Sequence, residues 1–278
     1  MVLQRRRTCK RMVEKTLDFF QIYYREDQLP ELYPFAKPVF NQTLTPYFEN
    51  DIISSLVPSS NADLVSVASW RLKQKRSAFP SKAVLHEAGS TELTKERILS
   101  TEFDIAILTP RLSEHKMLFM ARHWHGQGWI DSFSELSLFL GKNLGIKVPI
   151  ELSCPIYGNH FIARGEIYGD YVRSCLIPVI HFMNSHQSVF SKPAGYRARK
   201  EFGGNIEAIR DYEMASGRKE WMIGVFLLER LFSMPARAVT EGHGQRPWFN
   251  NGGQPPRNYS LLITHSMLSN AASSPQRD

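Results

Sequence analysis

The chain has 278 residues, 42% hydrophobic and 22% charged, with a formal charge of +7. Such values describe an ordinary globular chain, long enough for one large domain or two small ones. No apolar run approaches the roughly 20 residues that a membrane-spanning helix needs. Three cysteines, Cys9, Cys154 and Cys175, are too few and too scattered for a disulfide framework or a zinc ribbon. They point to a reducing cytosol.

Five of the positive charges, Arg5, Arg6, Arg7, Lys10 and Arg11, lie ahead of the first periodic segment. No apolar stretch follows them, so no secretory signal is expected. Residues 1–15 read as a solvated, disordered head. Its charge also suits a nucleic-acid arm or contact with an anionic membrane surface. The expected location is cytoplasmic, with membrane-peripheral contact through the head.

The first strand is expected over 17–24, "LDFFQIYY", followed by the polar turn "REDQLP". Thr45-Pro46 is a good cap and first helical residue for a helix over 46–56. A buried strand is expected over 62–70, and the charged "RLKQKR" leaves it. Residues 76–90 lack a clean period and read as loop. "TELTKERILS" looks helical, and 103–111 forms a second short buried strand stopped at Thr109-Pro110. "SEHKMLFMARHWHG" and "IDSFSELSLFLGKNLG" have helical spacing, the latter ending at Gly145. "NHFIAR" is a short strand, and 165–185 a helix with a kink expected near Pro178. A basic loop, a helix over 205–217 and the apolar segment 221–234 complete the periodic part. The 44 residues from 235 to 278 contain five Pro and four Gly, and only "YSLLITHSML" resembles an element, so weak order is expected there.

Strands alternating with helices imply one α/β domain over 16–234, a mainly parallel sheet flanked by helices. In such sheets ligands bind beyond the carboxyl ends of the strands. Three strand ends carry arginine there: Tyr23-Tyr24-Arg25, Ser69-Trp70-Arg71 and Thr109-Pro110-Arg111. An aromatic ring to stack on a base and a guanidinium for phosphate oxygens are what a nucleoside diphosphate requires. The chain has no GxGxxG, P-loop, G-x-S-x-G or HExxH pattern, which removes the sequence support for a Rossmann site, an ordinary α/β-hydrolase or a zincin. His123 and His125 share a face only on an extended segment, and the sequence nominates no further ligand for a metal.

"FQIYYRED", "ADLVSVASWRLKQKR", "DIAILTPR", "RHWHG", "IYGNHFIARGEIYGDYV", "GYRARKEFGG" and "IGVFLLERL" follow one another in an order that resembles a group of bacterial glycosyltransferases found with capsular-polysaccharide and surface-glycan genes. The matching positions include Asn159, Phe161 and Ile162, then Glu166, Ile167 and Tyr171, then Gly224, Leu227, Glu229, Arg230 and Leu231. Ser69 and Trp70 depart from the group, which commonly reads His and Tyr there. The resemblance implies a GT-A-like nucleotide-sugar-binding fold and transfer of a sugar from a nucleoside-diphosphate donor to a glycan acceptor. As an enzyme of this kind, the chain is expected to bind the donor through the strand-end residues Tyr23, Tyr24, Arg25, Trp70 and Arg71, to line the acceptor side with His123, His125 and Asn159, and to use Glu229 as the catalytic carboxylate. A divalent cation, manganese or magnesium, is left open, because the chain has no D-x-D pair at a strand end. The alternative is a non-catalytic protein that binds nucleic acid or glycan, favoured by the basic head and the charged "RLKQKR".

Overall fold

The aromatic-rich segment behind the head forms β1 (Leu17–Tyr23), which pairs in parallel with β2 (Lys37–Phe40) on one side and β3 (Leu64–Ser69) on the other. β5 (Phe161–Arg164) runs antiparallel to both β3 and β4 (Ile105–Ile107). β6 (Leu261–Leu262) pairs in parallel with β4, completing the order β2-β1-β3-β5-β4-β6. The computed structural model describes residues 15–41, 47–78, 85, 90, 92–109, 127–146, 148, 159–192, 222–232 and 261–262. The chain is therefore α/β with a mixed sheet, and the expectation of a mainly parallel sheet needs correction at β5. An apolar alternation gives a strand but not its direction. β5 runs the other way, so the helix that follows it starts at the amino edge of the parallel strands, where the Gly165 N–H donates to the Asp63 carbonyl at 2.9 Å.

Helices cover both faces of the sheet. On one face, Ile22, Val65, Val67, Ile107, Phe161 and Ala163 meet α1 (Glu49–Leu56), α4 (Gln127–Leu144), the pair α5 (Gly165–Tyr171) and α6 (Ile177–Ser185), and α8 (Ile223–Leu231). On the other, Phe19, Leu64, Ala68, Ala106 and Ile162 meet α2 (Leu72–Ala78), α3 (Lys95–Ser100) and Tyr33. Ile105, Ala106 and Ile107 alternate between the two clusters, the period of two of a strand buried on both faces, which the sequence shows only as a short apolar run.

Local chemistry explains most boundaries. The Thr94 hydroxyl accepts from the Arg97 N–H at 3.2 Å and caps α3. Gly145, at φ 67°, ends α4 in the left-handed region as its position promised. The kink expected near Pro178 takes the form of a π turn, Val172–Leu176, between α5 and α6. Widening the turn just before the proline accommodates its missing N–H and its ring. α7 (Gln187–Phe190) follows after His186.

Several elements were not foreseen, α2 and α7 among them. "EDQLPE" is a short 3-10 helix, Glu26–Glu31. β2 carries Pro38, which an edge strand tolerates because one side of its ladder is unpaired. The helix expected from Pro46 is observed from Glu49, behind Phe48 at φ 61° and ψ −119°, an unfavourable backbone region for a bulky residue. Residues 42–46, the helices expected over 113–126 and 205–217, Arg111 and the basic head as far as residue 14 lie outside the described residues, whereas Lys15 pairs with Glu102. Of the tail, only β6 is described.

Candidate functional site

The two edges of the sheet treat charge differently. At the amino ends of the parallel strands charges are paired: Lys15 with Glu102, Lys37 with Asp18, and Arg164 with both Asp104 and Glu166. Asp63, at the same edge, accepts from the N–H and hydroxyl of Thr16 at 2.8 Å each, which holds its carboxyl below the usual range. Glu102 and Asp104, which with Asp211 and Glu213 are the nearest the sequence comes to a D-x-D pair, are thus committed to ion pairs at the edge away from a ligand crevice. Asp211 and Glu213 lie outside the described residues.

The carboxyl edge is built differently. The backbone places Trp70 beside β1 through its N–H donating to Ile22 O at 2.9 Å, and Leu108 beside β5 through its N–H donating to His160 O at 2.8 Å. Under the edge, buried Gln21 accepts from the Tyr33 N–H at 2.6 Å and donates to Ser69 O at 3.3 Å, tying the ends of β1 and β3 together. His160 is buried, with Nε2 3.2 Å from Ser69 Oγ and Nδ1 3.2 Å from Thr109 Oγ1. It therefore joins the ends of β3, β4 and β5. Burial first, then the charges of Lys75 and Arg71, hold its pKa well below the ordinary histidine value.

The residues expected to bind a nucleotide separate into two groups. Tyr23 stacks on Phe40 with ring centroids 5.1 Å apart. Arg25 forks onto the Asp27 carboxylate at 2.9 and 3.1 Å, and so is engaged already. Trp70 is buried, with the Arg71 guanidinium 5.9 Å from its ring centroid. Tyr24 is also buried, and its hydroxyl donates to Glu49 Oε1 at 3.1 Å. Arg71, half-buried, remains at the mouth of the edge. Asn159, expected on the acceptor side, donates to Asn50 Oδ1 at 3.3 Å and links the start of β5 to α1. His123 and His125 lie outside the described residues.

Glu49, in the first turn of α1, is the residue that sequence reasoning missed. Burial pushes its carboxyl pKa up, and the Glu229 charge adds to that, against the opposing effects of Lys75, Arg71 and the Tyr24 hydroxyl. Glu229, Arg71 and Lys75 thus each lie within electrostatic reach of Glu49, on α8, just ahead of α2 and within α2. No ion pair engages Glu49, Glu229 or Arg71 among the described residues. Two further polar atoms here lack a hydrogen-bond partner among those residues: Arg71 Nε and the fully buried Tyr168 hydroxyl. Burial, and then the charge of Glu49, raise the tyrosine pKa far above its ordinary value. An orphaned buried donor costs about 1–3 kcal/mol, so it asks for an explanation.

α8 reaches the edge by close packing. A Cβ at Gly224 would stand 3.1 Å from the Tyr47 ring and 3.3 Å from Phe190 O. At the far end of α8, Phe232 stacks on Phe161 at 3.9 Å between centroids, and Phe161 in turn packs on Tyr168 at 4.7 Å. Glu229 is carried to the carboxyl edge between these contacts. No group of three His, Cys, Asp or Glu side chains placed to hold a metal ion occurs among the described residues. Among the described residues, Glu49 and Glu229 are carboxylates of this edge that no ion pair engages. No described helix is long and apolar enough to cross a membrane. Compared with models of protein families, with curated proteins and with solved structures, the chain matches none.

Proposed function

We propose that the chain is a glycosyltransferase that moves a sugar from a nucleoside-diphosphate donor to a glycan acceptor in surface-glycan synthesis. The observation that carries this reading is the contrast between the sheet edges. Paired charges fill the amino edge, whereas at the edge where α/β sheets bind ligands Arg25 pairs with Asp27 but Glu49, Glu229 and Arg71 stand without ion pairs among the described residues. The Arg71 guanidinium and the Lys75 ammonium suit the diphosphate, and both stabilise it as it departs. The acceptor hydroxyl oxygen bonds to the sugar's anomeric carbon while the bond from that carbon to the diphosphate oxygen breaks. The diphosphate leaves with the electron pair. Where configuration inverts, Glu229 takes the proton of the attacking hydroxyl.

The GT-A-like variety of the fold, the Asn159 side as acceptor wall and a divalent cation on the diphosphate belong to the same proposal. So does contact of the basic head with an anionic membrane surface at the cytoplasmic side. Calorimetry against UDP, GDP and their sugars, with and without manganese, tests it. Binding that survives a rise from 50 to 200 mM salt (probe conditions of roughly the range over which phosphate-backbone contacts weaken steeply) supports a pocket ligand. Binding of an oligonucleotide that collapses over the same range, with no response to any nucleotide sugar, replaces the enzyme with a nucleic-acid-binding protein.

A further inference from the structure

We propose that Glu49, Arg71 and Glu229 enclose a subsite for the sugar half of the donor, in which Glu49 accepts sugar hydroxyls and the Tyr168 hydroxyl is a second fixed contact. The inference rests on the nucleotide-sugar reading and adds to it two specificity-determining residues that no sequence pattern marked. Its grounds are geometric. The Tyr24 hydroxyl occupies Oε1 of Glu49 at 3.1 Å, fixing the carboxylate while its second oxygen keeps acceptor capacity. Asn50, the next residue, is held from two sides, by Asn159 Nδ2 and through its own Nδ2 to Tyr47 O, each at 3.3 Å. The first turn of α1 is therefore pinned to the start of β5.

Tyr168 supplies the independent observation. Its ring is locked against Phe161, yet its hydroxyl, fully buried beside the charge of Glu49, has no hydrogen-bond partner among the described residues. A phenol kept at such a position without a hydrogen-bond partner among the described residues is suited to one that arrives with a ligand. The chemistry of the ring of groups narrows that ligand. Carboxylates and a phenol match vicinal hydroxyls, and a guanidinium beside them matches a phosphate on the same molecule. A sugar linked to phosphate carries both.

The test is calorimetric, using UDP and GDP beside UDP-glucose, UDP-galactose, UDP-N-acetylglucosamine and GDP-mannose. The readout is the ratio of affinity for a nucleotide sugar to that for its parent diphosphate. The wild type should show a ratio well above one for at least one sugar. Glu49→Gln should lower that ratio about tenfold and Tyr168→Phe about fivefold, the ranges for losing a charged and a neutral hydrogen bond. Affinity for the parent diphosphate should not change in either. Tyr168→Phe removes only a hydroxyl without a hydrogen-bond partner among the described residues, so it should fold as well as the wild type and tests the subsite independently of Glu49→Gln. A ratio near one in the wild type, or one unaltered by both substitutions, overturns the subsite while diphosphate binding leaves the enzyme reading standing. A wild type that binds neither diphosphates nor nucleotide sugars overturns both.

Discussion

The Tyr24 hydroxyl donates to Glu49 Oε1 across 3.1 Å, and this contact joins the end of β1 to the first turn of α1. It is a single bond set against burial and the charge of Glu229, both of which disfavour the ionised carboxylate. Glu49 thus has a pKa raised in the folded chain above its unfolded value. Such a group costs stability as pH rises, because the unfolded chain releases the proton first. Glu49→Gln keeps the acceptor for Tyr24 and removes the charge. It should melt higher than the wild type at pH 7, and the two melting curves should converge as pH falls below the ordinary glutamate range. Melting temperatures of the two proteins from pH 4 to 8 check this. A variant less stable than the wild type at pH 7 would mean that Lys75 and Arg71 outweigh burial.

His160 gives the opposite sign. Its pKa is depressed in the folded chain, so its contribution to stability is present above about pH 6.5 and is lost as pH falls through and below that value. The wild type should lose stability between pH 7 and 5, and His160→Gln, which can still bond to Ser69 and Thr109, should flatten that part of the profile. Urea unfolding at several pH values measures it. Parallel profiles for the two proteins would show that His160 gains its proton in the folded state without penalty.

Arg71 and Arg25 look equivalent in the sequence, each closing a strand beside an aromatic residue, but their surroundings differ. Arg25 already forks onto Asp27, whereas Arg71 Nε has no hydrogen-bond partner among the described residues. Arg71→Ala should weaken UDP or GDP binding by about 1.5–3 kcal/mol, the range for a hydrogen bond to a charged group. Arg25→Ala should cost less. Equal losses by calorimetry would place both at the phosphates, and no loss at Arg71 would move the phosphate site elsewhere.

The strands were legible because burial on one face or both writes itself as period two or as an apolar run, as in "LVSVAS" and "FIAR". The end of α4 at Gly145 and the distortion before Pro178 were legible because those residues restrict the backbone. The direction of β5 was not, since side-chain alternation is the same in either sense. Half of the site was missed for a related reason. Arg71 and Lys75 stand four residues apart, and once "RLKQKR" is helical, with the Lys75 N–H donating to Arg71 O at 2.9 Å, they share a face. Read as a charged exit from a strand, the segment hides that pairing. Glu49, His160 and Tyr168 come from three separate stretches, and only tertiary packing brings them to one edge.

Gly165 tests the frame independently of the site. An added Cβ would stand 2.3 Å from Ala62 O, a clash with backbone that no side-chain rotation relieves. Gly165→Ala should therefore destabilise by about 1–3 kcal/mol, as overpacking does. The urea midpoint should fall, while nucleotide affinity of the folded fraction stays, because this contact lies at the amino edge. An unchanged midpoint would show that the turn between β5 and α5 yields at little cost.

The acid and the base within "IGVFLLERL" answer to different surroundings. Arg230 is buried, donates to Phe226 O at 2.6 Å and lies 5.6 Å from the Trp129 ring centroid, so it belongs to the packing of α8. Glu229 points about 100° away on the helix. It is half-buried at the carboxyl edge, and no ion pair engages it among the described residues; Arg197 and Arg199 of the basic "GYRARKEFGG" segment, which the sequence offers as ion-pair partners for it, lie outside them. Glu229→Gln keeps shape and hydrogen bonding and removes only the charge. As the base, it should lower turnover, followed as release of UDP or GDP from the donor, by ~100-fold or more, with melting temperature and diphosphate affinity nearly intact. A buried ion pair predicts the reverse: activity persists in what folds, and stability drops by several kcal/mol because an arginine is left without its partner. A variant both stable and fully active would remove Glu229 from the reaction and leave Glu49 as the carboxylate of the edge.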